Sequence, residues 1–284
     1  MRVSRLLAVL LLATGAAASR TGLQAPAVAS STVARTRSGT ADCYVEAAPS
    51  PVSSTLPGGV WGQGRDRRPD PAARRYAEQT RRFVFTRIRY GGYRSTWNHD
   101  YPRADLNLPR ILDDITTIDV HLGESNVFWL DDPELFKHPI AYISEPGFWS
   151  MSESEVRGFR NYLLKGGFVI FDDFEAEQWD NFTLQVRRAL PDHRLIEIDV
   201  THPIFQVFFG MQKLDFPHPL VRVEPSYWGI FEENDPTGRM MAIVNYNNDI
   251  AEYWEWSAEG FFPVDFTNDA YKLGVNYIVY GLTH

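Results

Sequence analysis

Between Ser152 and Ile198 the chain switches repeatedly between two hydrophobic periods, and that alternation restricts the fold more than any other feature. Ser152 and Glu155 stand at capping-box spacing, and Val156, Phe159 and Leu163 then recur on one helical face, so a helix is expected from about Ser152. Gly166 or Gly167 supplies the left-handed backbone that ends it. Phe168-Val169-Ile170-Phe171 is a short apolar run of the kind buried on both faces of a sheet, and Asp172-Asp173 closes it. Residues 176–190 return to helical spacing, with Trp179, Phe182, Val186 and Ala189 on one side, before a strand over residues 194–198. Strands joined through helices pair in parallel by right-handed crossovers, so the expected class is an α/β three-layer sandwich with a mostly parallel sheet.

The flanking sequence extends this pattern. Residues 83–90 are expected as a first strand stopped by Gly91-Gly92, and residues 105–116 as a helix with Leu108, Ile111, Leu112 and Ile115 on one face. Thr117-Ile118-Asp119-Val120 and Val127-Phe128-Trp129-Leu130 read as short strands, and residues 139–144 as another buried one. Residues 226–231 and 239–246 read as two strands around the turn-rich residues 234–238. Residues 268–282 read as a final helix docked on the sheet.

The first 75 residues differ in kind. Arg2 and Arg5, the apolar run Leu6 to Ala13 and Ala16-Ala17-Ala18 have the layout of a secretory signal over residues 1–18, and no later run is long enough to span a bilayer. Residues 19–75 are rich in Ala, Ser, Thr, Pro, Gly and Arg without a hydrophobic period, the composition of a linker, which leaves residues 76–284 as one folded domain. The expected location is outside the cytoplasm, periplasmic in a cell with two membranes. Cys43 is the one cysteine, so no intrachain disulfide forms. The 75 residues carry a net charge of +6, which leaves −14 on the remainder. Nucleic acid is therefore not an expected partner, because phosphate binding needs clustered Lys and Arg.

In open α/β sheets ligands bind beyond the carboxyl ends of the strands, where Asp172 and Asp173 fall. Either these two carboxylates bind a ligand, or one caps the next helix while the other faces solvent. Glu145 and Trp149 follow the preceding strand at the same edge; they suit a carbohydrate, or else Trp149 covers the core. His202 joins Asp172 and Asp173 as a candidate metal or acid–base set, or caps the turn at Pro203. Trp97, Asp100 and Tyr101 lie in a polar, aromatic loop that could orient a polar ligand, with Asp105 read as the cap of the next helix. Arg239, Asn245, Asn247, Asn248 and Asp249 are weaker candidates. No phosphate loop, zinc spacing or GxSxG elbow occurs, so no metal or cofactor is expected.

Arg87-Ile88-Arg89-Tyr90, Trp97 with Asp100-Tyr101-Pro102, Gly166 to Asp173, and His202-Pro203 together resemble the bacterial domain of unknown function 4159 family, over about residues 82–284. The resemblance implies a flavodoxin-like fold related to class I glutamine amidotransferases, and the glycine pair with the later His-Pro is also similar to ThuA-like proteins. Those amidotransferases need a cysteine after a central strand and a later His-x-Glu pair, whereas here Cys43 lies in the tail and no His-x-Glu occurs. Thiol-dependent glutamine hydrolysis is therefore not expected. The expected function is a ligand-binding module of the cell envelope that recognises a small polar molecule or glycan and works with envelope protein partners. The alternative is a hydrolase acting on a carbohydrate or related polar compound, with Asp172, Asp173 or His202 as acid, base or metal ligand.

Overall fold

The computed structural model describes residues 82–92, 95–215 and 217–284, all within one compact unit. The expected signal segment and linker lie outside the described residues. Seven strands form one sheet: β1 (Thr86–Ile88), β2 (Asn126–Phe128), β3 (Ile140–Ser144), β4 (Phe168–Asp172), β5 (Leu195–Ile198), β6 (Ser226–Phe231) and β7 (Met240–Tyr246). Their order is β2-β1-β3-β4-β7-β6-β5. The first five in that order pair in parallel, and β6 runs antiparallel to both β7 and β5. The chain is thus a mixed α/β protein with a mostly parallel sheet. Among the described residues five α-helices accompany it: α1 (Arg103–Ile115), α2 (Glu153–Leu164), α3 (Gln178–Ala189), α4 (Ile250–Glu255) and α5 (Val264–Thr283).

The central strands β3 and β4 are apolar up to their last residues, Ser144 and Asp172, because helices cover both faces. Every residue of β3 and of β4 is buried. Along them the side chains alternate between two cores. Ile140, Tyr142, Phe168 and Ile170 join Leu108 and Leu112 of α1, Tyr253 and Trp254 of α4, and Leu273 and Tyr277 of α5. Ala141, Ile143, Val169 and Phe171 join Val156 and Phe159 of α2 and Phe182 and Val186 of α3.

Local sequence explains most element ends. Ser152 caps α2 through a complete capping box with Glu155, and Gly166, at φ 106°, turns the chain out of that helix. Two expectations are corrected. Residues 117–120 do not form a strand: Val120 alone bridges to Phe83, and the chain bends at Gly123 before entering β2. Asp105 does not cap α1 with its side chain. It lies in the first turn of that helix, fully out of water, and accepts from Arg87 Nε at 2.9 Å and from Arg87 Nη2. Arg87 is buried as completely, under the Tyr142 ring at 5.0 Å, and its Nη1 donates to the Trp97 carbonyl. This pair ties β1 to α1 beneath the carboxyl edge of the sheet.

Candidate functional site

Beyond the carboxyl ends of β1, β3, β4 and β7 the connecting loops enclose a cleft of about 330 Å³. Its walls carry seven carboxyl groups, Asp100, Glu145, Asp173, Glu175, Asp249, Glu252 and Glu255, and two imidazoles, His99 and His218. No Lys or Arg lines it among the described residues. Each loop aims its acids by a specific backbone device. Asp100, Glu145 and Asp173 all take left-handed backbone, at φ 52°, 47° and 64°, a conformation that non-glycine residues adopt only where surrounding contacts enforce it. For Glu145 the enforcing contacts are visible: its N–H donates to the Asp172 carbonyl, and the Tyr90 hydroxyl reaches the carbonyls of Ser144 and Glu145 at 3.0 and 2.8 Å. Asp173 donates its N–H to the Asn248 carbonyl, and its Oδ2 accepts from Ser144 Oγ at 3.1 Å.

Asp172 and Asp173, adjacent in sequence, part company in space. Asp173 lines the cleft, while Asp172 is fully buried. Asp172 Oδ1 accepts from Asn245 Nδ2 and the Ile250 N–H; its Oδ2 accepts from the Ala251 N–H and the Tyr142 hydroxyl. It therefore fastens the first turn of α4 to the sheet. Burial pushes its acidity up to about 6, although those four hydrogen bonds oppose the rise.

Helix α4 supplies the remaining wall. Asp249 caps it by accepting from the Glu252 N–H at 3.0 Å, and Glu252 and Glu255 follow on its cleft side. Oxygen atoms of Asp100, Glu252 and Glu255 come within 4.8 Å of one another. Such crowding of acids outside water favours protonation. Burial and then the neighbouring Glu145 and Asp172 charges hold Asp173 well above the usual carboxylate range. Burial, with Asp173 and Asp172 adding, does the same to Asp249. Glu255 is pushed up to about 9 by burial, against the pull of nearby Arg87. Glu145, Glu175 and Glu252 are raised as well, each first by burial. For Glu145 the His99 imidazole, with Nδ1 at 3.2 Å from Oε1, opposes the rise.

His218 has an unusual environment. It is 7 % exposed, and its Nδ1 accepts from the backbone N–H groups of Leu220 and Val221 at 3.1 and 3.3 Å. A ring nitrogen that accepts twice carries no proton, so in the neutral imidazole the proton sits on Nε2. Nε2 is buried without a hydrogen-bond partner among the described residues, with Glu175 Oε2 3.9 Å away. Burial lowers the basicity of this imidazole to about 4, so at neutral pH it is an uncharged donor facing a wall of acceptors.

Of the residues singled out from the sequence, the cleft gathers Asp100, Glu145 and Asp173, with Asp249 among the weaker candidates. Trp149 is 1 % exposed and packs against the rings of Phe159, Phe171 and Phe182 at 5.6, 5.4 and 6.3 Å, in the core between the sheet and α2 and α3. Trp97 and Tyr101 sit with ring centroids 6.0 Å apart outside the cleft lining. His202 caps the short turn Pro203–Phe205 through Nδ1 and the Ile204 N–H. Its ring lies beside Phe231 and Tyr280, in a separate pocket with Arg239, at the sheet edge opposite Asp173. Asp172, Asp173 and His202 therefore do not converge. His99, Glu175, His218, Glu252 and Glu255 join the site without having been singled out individually. The signal for α4 was present as Asp249-Ile250-Ala251-Glu252, an acidic cap followed by a carboxylate at capping-box spacing.

Fold and cleft together define an α/β protein with an acidic site at the carboxyl edge of its sheet. The chain belongs to the DUF4159 family of domains of unknown function, whose model matches residues 84–282. A comparison with curated proteins found no match.

Proposed function

We propose that this protein is an exported binding module whose acidic cleft recognises a small, hydroxyl-rich ligand of the glycan class. The observation that carries the reading is seven carboxyl groups and two imidazoles, with no lining Lys or Arg among the described residues, around about 330 Å³ of cleft. Carboxylates accept from hydroxyls, and carboxyl groups raised enough to keep a proton also donate, so such a wall serves both ends of a sugar hydroxyl. The absence of lining cations argues against phosphate or carboxylate ligands. The strand order β2-β1-β3-β4 is that of the opening of a flavodoxin-like sheet, and the cleft beyond its carboxyl edge is where such folds take ligands. This supports the amidotransferase-like and ThuA-like relationship. Asp173 stands at the turn after a central strand where the thiol enzymes of that class place their cysteine.

Export is inferred from Arg2, Arg5, Leu6 to Ala13 and Ala16 to Ala18. Among the described residues no helix is long and apolar enough to cross a membrane. Envelope protein partners are part of the same reading and would be captured by cross-linking intact cells. Hydrolysis by Asp172, Asp173 and His202 as one set lacks a shared pocket, so binding is preferred.

Calorimetric titration with a panel of mono- and oligosaccharides and polyols tests the reading. Saturable binding is expected, with at least tenfold weakening in the Glu145→Gln/Asp173→Asn double variant, whose circular dichroism should match the parent. Failure of every member of the panel to bind would overturn it.

A further inference from the structure

The cleft concentrates seven carboxyl groups, and two independent features point to a ligand within it. The first is geometric. Ca²⁺ binds carboxylate oxygens at about 2.3–2.6 Å, so oxygens on opposite sides of one ion stand roughly 4.6–5.2 Å apart. The oxygens of Asp100, Glu252 and Glu255 fall within 4.8 Å of one another, inside that limit. Two come from successive turns of α4 and the third from the loop after β1, so one ion would join two separate elements.

The second feature is His218. Its Nε2–H is buried, faces the cleft and has no acceptor in hydrogen-bond reach among the described residues. A buried donor left unpaired costs about 1–3 kcal/mol, so it marks a place for an oxygen atom that the described residues do not supply. Because Nδ1 is occupied by two backbone N–H groups, Nε2 cannot release its lone pair to a metal while it keeps its proton. His218 is thus a donor to a ligand oxygen, and the ion must be held by the carboxylates.

We propose that Asp100, Glu252 and Glu255 form a site for a hard divalent cation of the calcium or magnesium class, and that His218 donates to an oxygen ligand bound in the same cleft. An all-oxygen donor set selects such cations over zinc or copper. The proposal rests on the cleft being the binding site, and it narrows the ligand to one whose hydroxyl oxygens are received beside a cation.

Titration of the full chain with CaCl₂ and with MgCl₂ alone, by calorimetry and thermal denaturation at pH 8, tests this. One ion per chain is expected, with a Kd of about 0.1–1 mM, the range of extracellular calcium modules, and a rise in Tm. Glu252→Gln should weaken binding at least tenfold. That substitution removes a repelling charge, so it should also raise Tm in chelator, which separates loss of the site from loss of the fold. His218→Gln should leave cation affinity within twofold of the parent. No saturable binding of either ion, or equal binding by Glu252→Gln, would overturn the proposal. A chain that binds calcium but no saccharide would retain the cation site and refute the glycan reading.

Discussion

Arg87 shows how a residue that looks superficial in sequence becomes structural. It sits in a strand of three residues, all of them buried, so its charge is tolerable only because Asp105 meets it with two hydrogen-bonded contacts and the Tyr142 ring covers it. Replacing one partner of such a pair strands the other: Arg87→Met should destabilise the chain by about 3–5 kcal/mol in urea denaturation. The same reasoning separates Asp172 from Asp173. Period-two alternation alone places neighbouring residues on opposite sides of a strand, yet it could not say which faced ligand. That was decided by α4, whose first N–H groups reach Asp172 from residues 78 and 79 positions further on. Long-range hydrogen bonds leave no local trace, which is why Asp172 read as a site residue and His218 did not.

At the scale of elements, the buried strands β3 and β4, the capped helix α2 and the hairpin β6–β7 were legible, because each carries its own period, cap or turn residues. Helix α4 was not, since six residues span too little for an amphipathic period to emerge. Yet α4 and its cap carry three of the seven cleft carboxyl groups, and its position depends on Asp172. Asp172→Ala should cost about 1.5–3 kcal/mol from hydrogen bonds to a charged acceptor, and native-state exchange should show the amides of Ile250 and Ala251 losing protection ahead of those of β4. Helix α2 offers a contrasting case. A Cβ at Gly158 would lie 2.0 Å from the Leu130 carbonyl oxygen, so the helix approaches the backbone after β2 only because that residue is glycine. Gly158→Ala gains about 1 kcal/mol in helix propensity but should lose about 1–3 kcal/mol to forced separation, giving a lower net Tm.

For the molecule as a whole, the acidic cleft makes stability depend on pH in an unusual direction. Asp172 is raised to about 6 and Glu255 to about 9, with Asp173 and Asp249 also held well above their ordinary values. Between the ordinary carboxylate range and these raised values the folded chain holds more protons than the unfolded one, so stability falls as pH rises. Thermal melts should therefore show Tm increasing from pH 9 to about pH 5, and saturating calcium should flatten that slope by replacing the lost protons. The composition foreshadowed this as a charge of −14 beyond residue 75, without revealing that seven carboxyl groups gather at one sheet edge. The most direct measurement is anomalous diffraction from crystals grown with manganese, a scatterer that substitutes for calcium or magnesium on oxygen ligands. The account predicts a peak bounded by Asp100, Glu252 and Glu255, with carboxylate oxygens about 2.1–2.6 Å away. An empty cleft in crystals whose manganese binds elsewhere would contradict it.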